Sequence, residues 1–168
     1  MSRPVRPVTS LRHPAPPRGR PRVTVVGDAL LDVDWEGGVA RVCPDAPAPV
    51  LDHTGDVHRP GGAALAARFA AEAGAAVVLV CALGDDPEGA LVRAELTAAG
   101  VSVVDLGLAG PTPVKLRLRS DGQSLARVDR GCKRIVPPGA WTDAATGSVT
   151  DADVLLVSDY GRGMAAVP

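Results

Sequence analysis

Acidic side chains follow the first strand-like segment of the chain and could bind a polar ligand. Asp28 and Asp32 lie in "VVGDALLD", after a β-branched run that predicts a buried strand. Open α/β sheets bind ligands at the carboxyl ends of their strands, where a carboxylate can accept hydrogen bonds from hydroxyl groups. We assign Asp28 to capping the turn after the strand. Asp32 stands between Leu31 and Val33 and is the stronger candidate for a ligand contact.

Two adjacent glycines form a second candidate. Gly61 and Gly62 open the segment 61–74, whose apolar residues have helical spacing. Backbone N–H groups at a helix start bind polar or anionic groups, and glycine allows close approach. A tight turn into the helix would need the same residues, so the pattern leaves both interpretations open.

A third candidate is a row of basic side chains. Lys115, Arg117 and Arg119 alternate with apolar residues, and Arg127 lies on the return strand of a hairpin that turns at Asp121-Gly122. A charged strand face is usually a solvated one. Such a concentration of positive charge could instead bind a phosphate, because guanidinium groups bind it through paired hydrogen bonds.

Other motifs exclude function classes. "VVGDALLD" is not GxGxxG, and no GxxxxGK[ST] occurs, which argues against a dinucleotide oxidoreductase and a Walker NTPase. The His and Asp residues of 52–58 could bind a metal, but an exposed edge strand is the more typical interpretation, and we assign no metal ligand. Three widely spaced cysteines without a CxxC pair argue against disulfides and favour a reducing cytoplasm.

The amino-acid composition predicts a folded core preceded by an N-terminal tail. Apolar residues make up 46% and aromatic residues 2% of the 168 residues, so a core would consist of Ala, Val and Leu. Residues 1–21 are rich in arginine and proline, contain no acid and predict a disordered tail rather than a targeting signal. The rest is acidic, which argues against a nucleic-acid surface, and its longest apolar runs are too short to span a membrane.

Helices and strands must position the candidate residues, and their order predicts an α/β fold. Buried strands are expected at 22–27, 75–84 and 152–158, and another strand at 101–108, with helices at 61–74, 86–100 and 137–149. Such alternation predicts a parallel sheet with right-handed crossovers. The segment 29–35 is expected to be a strand edge or loop. The segment 38–60 and the hairpin do not fit that sheet and predict a second, small antiparallel sheet.

These segments together resemble the ribokinase-like (PfkB) carbohydrate kinases, and most closely the heptose-7-phosphate kinase domain of proteins that make ADP-heptose. "ARVCPDAPAPV" is similar to that family's Arg-x-x-Pro-acid-Ala-Pro-x-Pro-Val segment and is the most specific match. The other similar segments are "VVGDALLDVDW", "RPGGAALAA", "LGDDPEG", "TPVKLRLRSDGQSLARVD" and "LLVSDYGRG". They follow the family's order from about residue 22 to residue 164.

The resemblance implies a Rossmann-like domain over 22–168 with a β lid, formed by segments 38–60 and 112–129, that could pair with a second copy. It also implies phosphoryl transfer from ATP, with Mg²⁺, to a sugar hydroxyl. The substrate-binding residues carried over by position are Asp32, Gly61, Gly62, Lys115, Arg117, Arg127, Asp159 and Arg162.

The sequence departs from the family pattern in three ways that bear on the implied kinase activity. Leu65 stands where an asparagine usually contacts the sugar, and Arg162 stands where lysine is usual. The family segments that supply the catalytic base, the Mg²⁺ contact and most of the ATP pocket have no counterpart here. We therefore expect the N-terminal, substrate-binding half of a kinase, inactive and poorly soluble by itself, that needs a companion C-terminal half. The alternative is a non-catalytic protein that binds a sugar phosphate or dimerises through the lid.

Overall fold

The computed structural model describes residues 19–132 and 137–166. Most of the predicted tail, residues 1–21, lies outside them. Of its last three residues, Arg20 donates hydrogen bonds to the carbonyl oxygens of Gly74 and Ala75.

The elements alternate between strands and helices as expected. In chain order they are β1 (Arg22–Gly27), β2 (Ala29–Val42), β3 (Pro49–Gly62), α1 (Ala63–Glu72), β4 (Ala76–Cys81), α2 (Pro87–Ala98), β5 (Ser102–Asp105), β6 (Val114–Ser120), β7 (Gln123–Arg130), α3 (Asp143–Thr150), β8 (Val154–Ser158) and a 3₁₀ turn, Met164–Ala166. Helix α3 begins later than predicted because the Thr142 side chain caps it by accepting from the Ala145 N–H.

Four strands form the predicted parallel sheet, in the order β5-β4-β1-β8. Residues of β1 and β4 pack with α1 and α2 in one apolar core, to which Val25, Leu79 and Leu96 belong. A smaller core lies around Ala145 of α3 and Met164. The α/β fold class predicted from the sequence is confirmed.

Strand β8 corrects one expectation, since it is not buried. Its residues Val154 to Val157 are 42–54% exposed. The reason is its place at the end of the sheet: it pairs with β1 alone. An apolar edge strand of this kind is open to pairing with another chain segment.

The second sheet has the order β3-β2-β6-β7 and is mixed rather than antiparallel as expected. The pairs β2–β3 and β6–β7 are antiparallel, but β2 and β6 are parallel. Strand β2 follows β1, and β6 follows β5, and the carboxyl ends of β1 and β5 lie at the same edge of the first sheet. Strands β2 and β6 therefore leave that edge in the same direction, which makes them parallel. Strand β2 also runs unbroken from Ala29, where the sequence indicated only a strand edge or loop.

The two faces of the second sheet differ in polarity. One face places Leu31, Val33, Val114 and Leu116 in the larger core. Side chains alternate between the faces of a strand, so the register places the neighbouring polar residues together on the opposite face. We call this set the charged face: Asp32, Asp34, Arg59, Lys115, Arg117, Arg119 and Arg127.

Candidate functional site

Asp32 and Arg117 form the closest ion pair of the charged face. The Arg117 Nη1 atom donates to Asp32 Oδ1 over 2.6 Å. The pair is largely shielded from solvent, with 13% of the Asp32 side chain and 26% of the Arg117 side chain exposed. The structure thus joins two residues that the sequence assigned to different parts of a ligand site.

Asp34 lies beside this pair and was missed in the sequence. Its Oδ2 atom accepts hydrogen bonds from Arg59 at 2.7 Å and from Arg119 at 3.3 Å. The side chain is only 4% exposed, and its Oδ1 atom is buried without a hydrogen-bond partner, 3.9 Å from Arg117 Nη1. The signal for Asp34 was present, because acids two apart on a strand share a face. Nothing local in the sequence indicated Arg59.

Gly61 borders the carboxylate of Asp32. A Cβ atom at this position would overlap Asp32 Oδ2 and the Leu30 side chain. Gly62 is the N-cap of α1 and has φ of 62°, a conformation that favours glycine. The helix start has no side-chain cap, and the Ala63 N–H at its first turn donates to the Asp28 carbonyl oxygen at 2.9 Å.

A loop of residues 159–163 approaches the start of α1 and is held by hydrogen bonds to Asp28. The buried Asp28 carboxylate accepts hydrogen bonds from the backbone N–H groups of Tyr160, Arg162 and Met164, at 2.8, 3.0 and 3.3 Å. Asp28 was expected to cap its own turn. It instead fixes a loop more than 130 positions away, because β1 and β8 are neighbours and their carboxyl ends meet.

Tyr160 connects this loop to the other candidate residues. Its ring centre lies 5.9 Å from the Lys115 Nζ atom, within range of a cation–π contact. The same ring lies 3.5 Å from where a Gly62 Cβ would be. Sequence reasoning did not assign Tyr160 a role, yet it joins strand β6 to the start of α1.

The remaining predicted residues contact groups other than Asp32. Arg127 faces Arg117 across β6 and β7 and pairs with Asp129 at 2.8 Å. Asp159 accepts from the N–H of Gly161 in its own loop. Arg162 donates to the carbonyl oxygens of Gly131 and Cys132. Leu65, in the first turns of α1, is half-buried.

Cys132 lies among these cations, and its environment disfavours the thiolate. Burial is the main reason that the pKa of the Cys132 thiol is raised, and Asp129 adds to the rise. The positive charges of Arg162, Lys115 and Arg127 act in the opposite direction without reversing it. The arrangement can therefore bind an anion through its cations, but it does not supply an activated thiol.

The described residues were also compared with the requirements of a metal site and of a membrane-spanning helix. In residues 19–132 and 137–166, no group of three or more His, Cys, Asp or Glu side chains is placed to hold a metal ion. Among those same residues, no helix is long and apolar enough to cross a membrane.

Comparison with known proteins identifies similar sequences. Residues 20–131 match the pfkB family carbohydrate kinase model. The bifunctional protein HldE of Streptomyces coelicolor is 44% identical over 146 residues, which are 87% of this chain and 31% of that protein. HldE of Chromohalobacter salexigens is 39% identical and covers 84% of this chain and 30% of its own length. The chain thus spans about a third of these relatives.

Solved structures share the fold at low sequence identity. A carbohydrate kinase from Agrobacterium tumefaciens has a TM-score of 0.63 and 20% identity, covering 82% of this chain and 45% of its own. An Arabidopsis thaliana ribokinase complexed with ribose and ATP has a TM-score of 0.58 and 23% identity over 82% and 45% of the two chains. These similarities establish a ribokinase-like fold.

Proposed function

The chain belongs to the pfkB family of carbohydrate kinases, and we propose that it is the substrate-binding part of a kinase that phosphorylates a sugar phosphate resembling heptose 7-phosphate. The observation that carries this proposal is the contact between Asp32 and Arg117 beside Gly61. The contact supports the proposal because Asp32 can accept hydrogen bonds from sugar hydroxyls and the neighbouring Arg117 can donate hydrogen bonds to a phosphate. The similarity to HldE proteins supports a heptose phosphate as the substrate class.

The sugar hydroxyls would bind at Asp32 and at the start of α1. A carboxylate accepts hydrogen bonds from two neighbouring hydroxyls, and its position against Gly61 directs them toward the helix start. The positive end of the helix dipole favours electron-rich oxygen atoms there. Leu65 cannot donate a hydrogen bond, so we assign sugar recognition to Asp32 and the glycine backbone.

The phosphate of the substrate would bind to Lys115, Arg117 and Arg127. Arg117 on β6 and Arg127 on β7 are direct cross-strand neighbours, so their guanidinium groups can bind one phosphate from two sides. Lys115 adds a charge near the Tyr160 ring. We propose that Asp159 and Arg162, on the loop fixed by Asp28, border the reacting hydroxyl.

This part of the chain contributes position and charge to the reaction. Phosphoryl transfer depends mostly on alignment of the two substrates and on neutralising charge. Asp32 and the glycines would orient the sugar, and the cations would hold its phosphate away from the reacting end. The loop under Asp28 would keep Tyr160 packed against both parts.

We propose that the described residues do not by themselves form a site for ATP and Mg²⁺. The described residues include no cluster of metal ligands, and the sequence has no Gly-Ala-Gly-Asp segment. We assign no catalytic base and propose that a companion C-terminal half supplies it with the ATP pocket. The exposed apolar strand β8 is a suitable edge for such a half.

We also propose a homodimer formed through the second sheet. Its face opposite the charged face exposes Trp35 and Val128, at 41% and 49%. Exposed aromatic residues of this kind are typical of protein interfaces. We place the protein in the cytoplasm, where its three free cysteines would remain reduced.

The test is a phosphoryl-transfer assay with ATP, Mg²⁺ and heptose 7-phosphate. We expect no ADP from the 168-residue chain alone and ADP formation after a polypeptide carrying the Gly-Ala-Gly-Asp segment is added. Full activity of the chain alone would contradict the companion half. Calorimetric binding of heptose 7-phosphate without turnover, even with the companion, would favour the alternative, a non-catalytic sugar-phosphate-binding protein.

A further inference from the structure

Arg117 occupies the carboxylate that the proposed sugar site needs. Its Nη1 atom lies 2.6 Å from Asp32 Oδ1, and both side chains are mostly shielded from solvent. A sugar hydroxyl that donates to Asp32 Oδ1 must share that oxygen with this charge-assisted hydrogen bond. The ion pair therefore covers one oxygen of the carboxylate that we propose binds the sugar.

A second acceptor for Arg117 lies next to the first. Asp34 Oδ1 is 3.9 Å from the same Nη1 atom and is buried without a hydrogen-bond partner. A buried carboxylate oxygen without a partner is costly, so this atom would gain from a new donor. Nη1 needs to move by about 1 Å to reach ordinary hydrogen-bond distance.

Asp34 is itself held in place. Arg59 and Arg119 both donate to its other oxygen, Oδ2, and fix the plane of the carboxylate. The free oxygen therefore stays directed toward Arg117. A movement of the Arg117 side chain, without backbone motion, is enough to exchange Asp32 for Asp34.

We propose that Arg117 has two positions and that the exchange between them selects phosphorylated sugars. Without substrate it binds Asp32; with a sugar phosphate it binds the phosphate and Asp34, which leaves Asp32 free for sugar hydroxyls. A neutral sugar must displace Arg117 with no phosphate to receive it. Asp34 is thus a positioning residue for the second position. This inference rests on the proposed sugar-phosphate site.

The exchange has a signature that simpler roles of Arg117 do not produce. If Arg117 only bound phosphate, its removal would leave the affinity for a neutral sugar unchanged. If it only supported Asp32, its removal would weaken both ligands. If it moves as proposed, its removal weakens the sugar phosphate and strengthens the neutral sugar, because Asp32 is then uncovered.

The experiment is a calorimetric titration of the full chain and of Arg117→Met with heptose 7-phosphate and with the unphosphorylated heptose. For Arg117→Met we expect affinity for the phosphate to fall about tenfold and affinity for the heptose to rise about threefold. The control is Arg41→Met, since Arg41 pairs with Asp52 elsewhere on the same sheet at 2.9 Å, and it should change neither value.

Each outcome decides the proposal. Unchanged or weaker heptose binding by Arg117→Met overturns the two positions but leaves the proposed function standing. Binding of neither ligand by the unsubstituted chain overturns both. A crystal structure of the unsubstituted chain with heptose 7-phosphate gives an independent test: we expect Arg117 within hydrogen-bond distance of Asp34 Oδ1, and Arg117 still on Asp32 would contradict the exchange.

Discussion

Asp32 and Arg117 are 85 positions apart in the sequence, and their side chains meet at 2.6 Å. The register of the parallel pair β2–β6 places Arg117 opposite Asp34, so its side chain reaches back along the strand to Asp32. One pair of strands thus holds both the carboxylate that we propose binds the sugar and the guanidinium that we propose binds its phosphate.

Replacement of Gly61 by alanine should impair the site. The new methyl group would overlap the carboxylate of Asp32 and the Leu30 side chain, and one of them must move. We expect affinity for heptose 7-phosphate, measured by calorimetry, to fall at least about tenfold. Gly55→Ala is the matched control on the same strand, because no heavy atom beyond its two chain neighbours lies within 4 Å of its Cβ position. Equal affinities for the two variants would contradict the close approach.

Replacement of Asp28 by alanine should destabilise the fold. Three backbone N–H groups of residues 160–164, one buried and two partly buried, would lose their acceptor, which costs about 3 kcal/mol in total. Urea unfolding followed by circular dichroism measures the loss. Asp159→Ala removes an exposed carboxylate from the same loop and should change stability by about 0.5 kcal/mol or less. Similar losses in both variants would show that Asp28 does not hold the loop.

Stability should fall in acid partly through Asp86. Burial acts to raise the pKa of its carboxyl, but hydrogen bonds from the Thr112 and Gly89 backbone N–H groups outweigh this, and the pKa lies below its ordinary value. A lowered folded pKa stabilises the protein above the unfolded value of about 3.9, and this contribution is lost as the pH falls through the folded pKa.

Asp86→Asn tests this contribution. Urea unfolding of the unsubstituted chain and the variant between about pH 6 and pH 2 should give a stability difference that shrinks as the pH falls. The exposed neighbour Asp85 provides the control, since Asp85→Asn should follow the unsubstituted chain. A difference that stays constant with pH would contradict the role of the Asp86 charge.

Dimerisation through the second sheet predicts a face-specific effect. Trp35→Glu should convert a dimer to a monomer in analytical ultracentrifugation, because a carboxylate would be buried in the interface. Val57 has nearly the same exposure, 44% against 41% for Trp35, but lies on the opposite face of the sheet. Val57→Glu should therefore remain dimeric. Loss of the dimer in both variants, or a monomeric unsubstituted chain, would count against the proposed interface.

Local patterns were sufficient to predict the α/β architecture. Alternating strand and helix segments predicted the parallel sheet, and Asp121-Gly122 marked the turn between β6 and β7. Helix α2 begins after the N-cap Asp86 with Pro87 in its first turn, as such signals require. These features depend on residues that are close together in the sequence, which is why the sequence alone predicts them.

Features that depend on distant neighbours were wrong or missed. The apolar run of β8 predicted burial, but burial depends on what covers a strand, and β8 is exposed. Asp34 and Arg59 meet only because β2 and β3 pair in one register. The role of Asp28 depends on β1 and β8 lying side by side. Most of the candidate site is of this second kind.

The most direct test of the central claim is a calorimetric titration of the full chain with heptose 7-phosphate, beside Asp32→Asn and the control Asp52→Asn. The unsubstituted chain and Asp52→Asn, whose position pairs with Arg41 away from the site, should bind one equivalent with the same affinity. Asp32→Asn should bind at least about tenfold more weakly, because its amide accepts fewer hydroxyl hydrogen bonds. Absence of binding by the unsubstituted chain, or equal binding by Asp32→Asn, would contradict a sugar-phosphate site at Asp32.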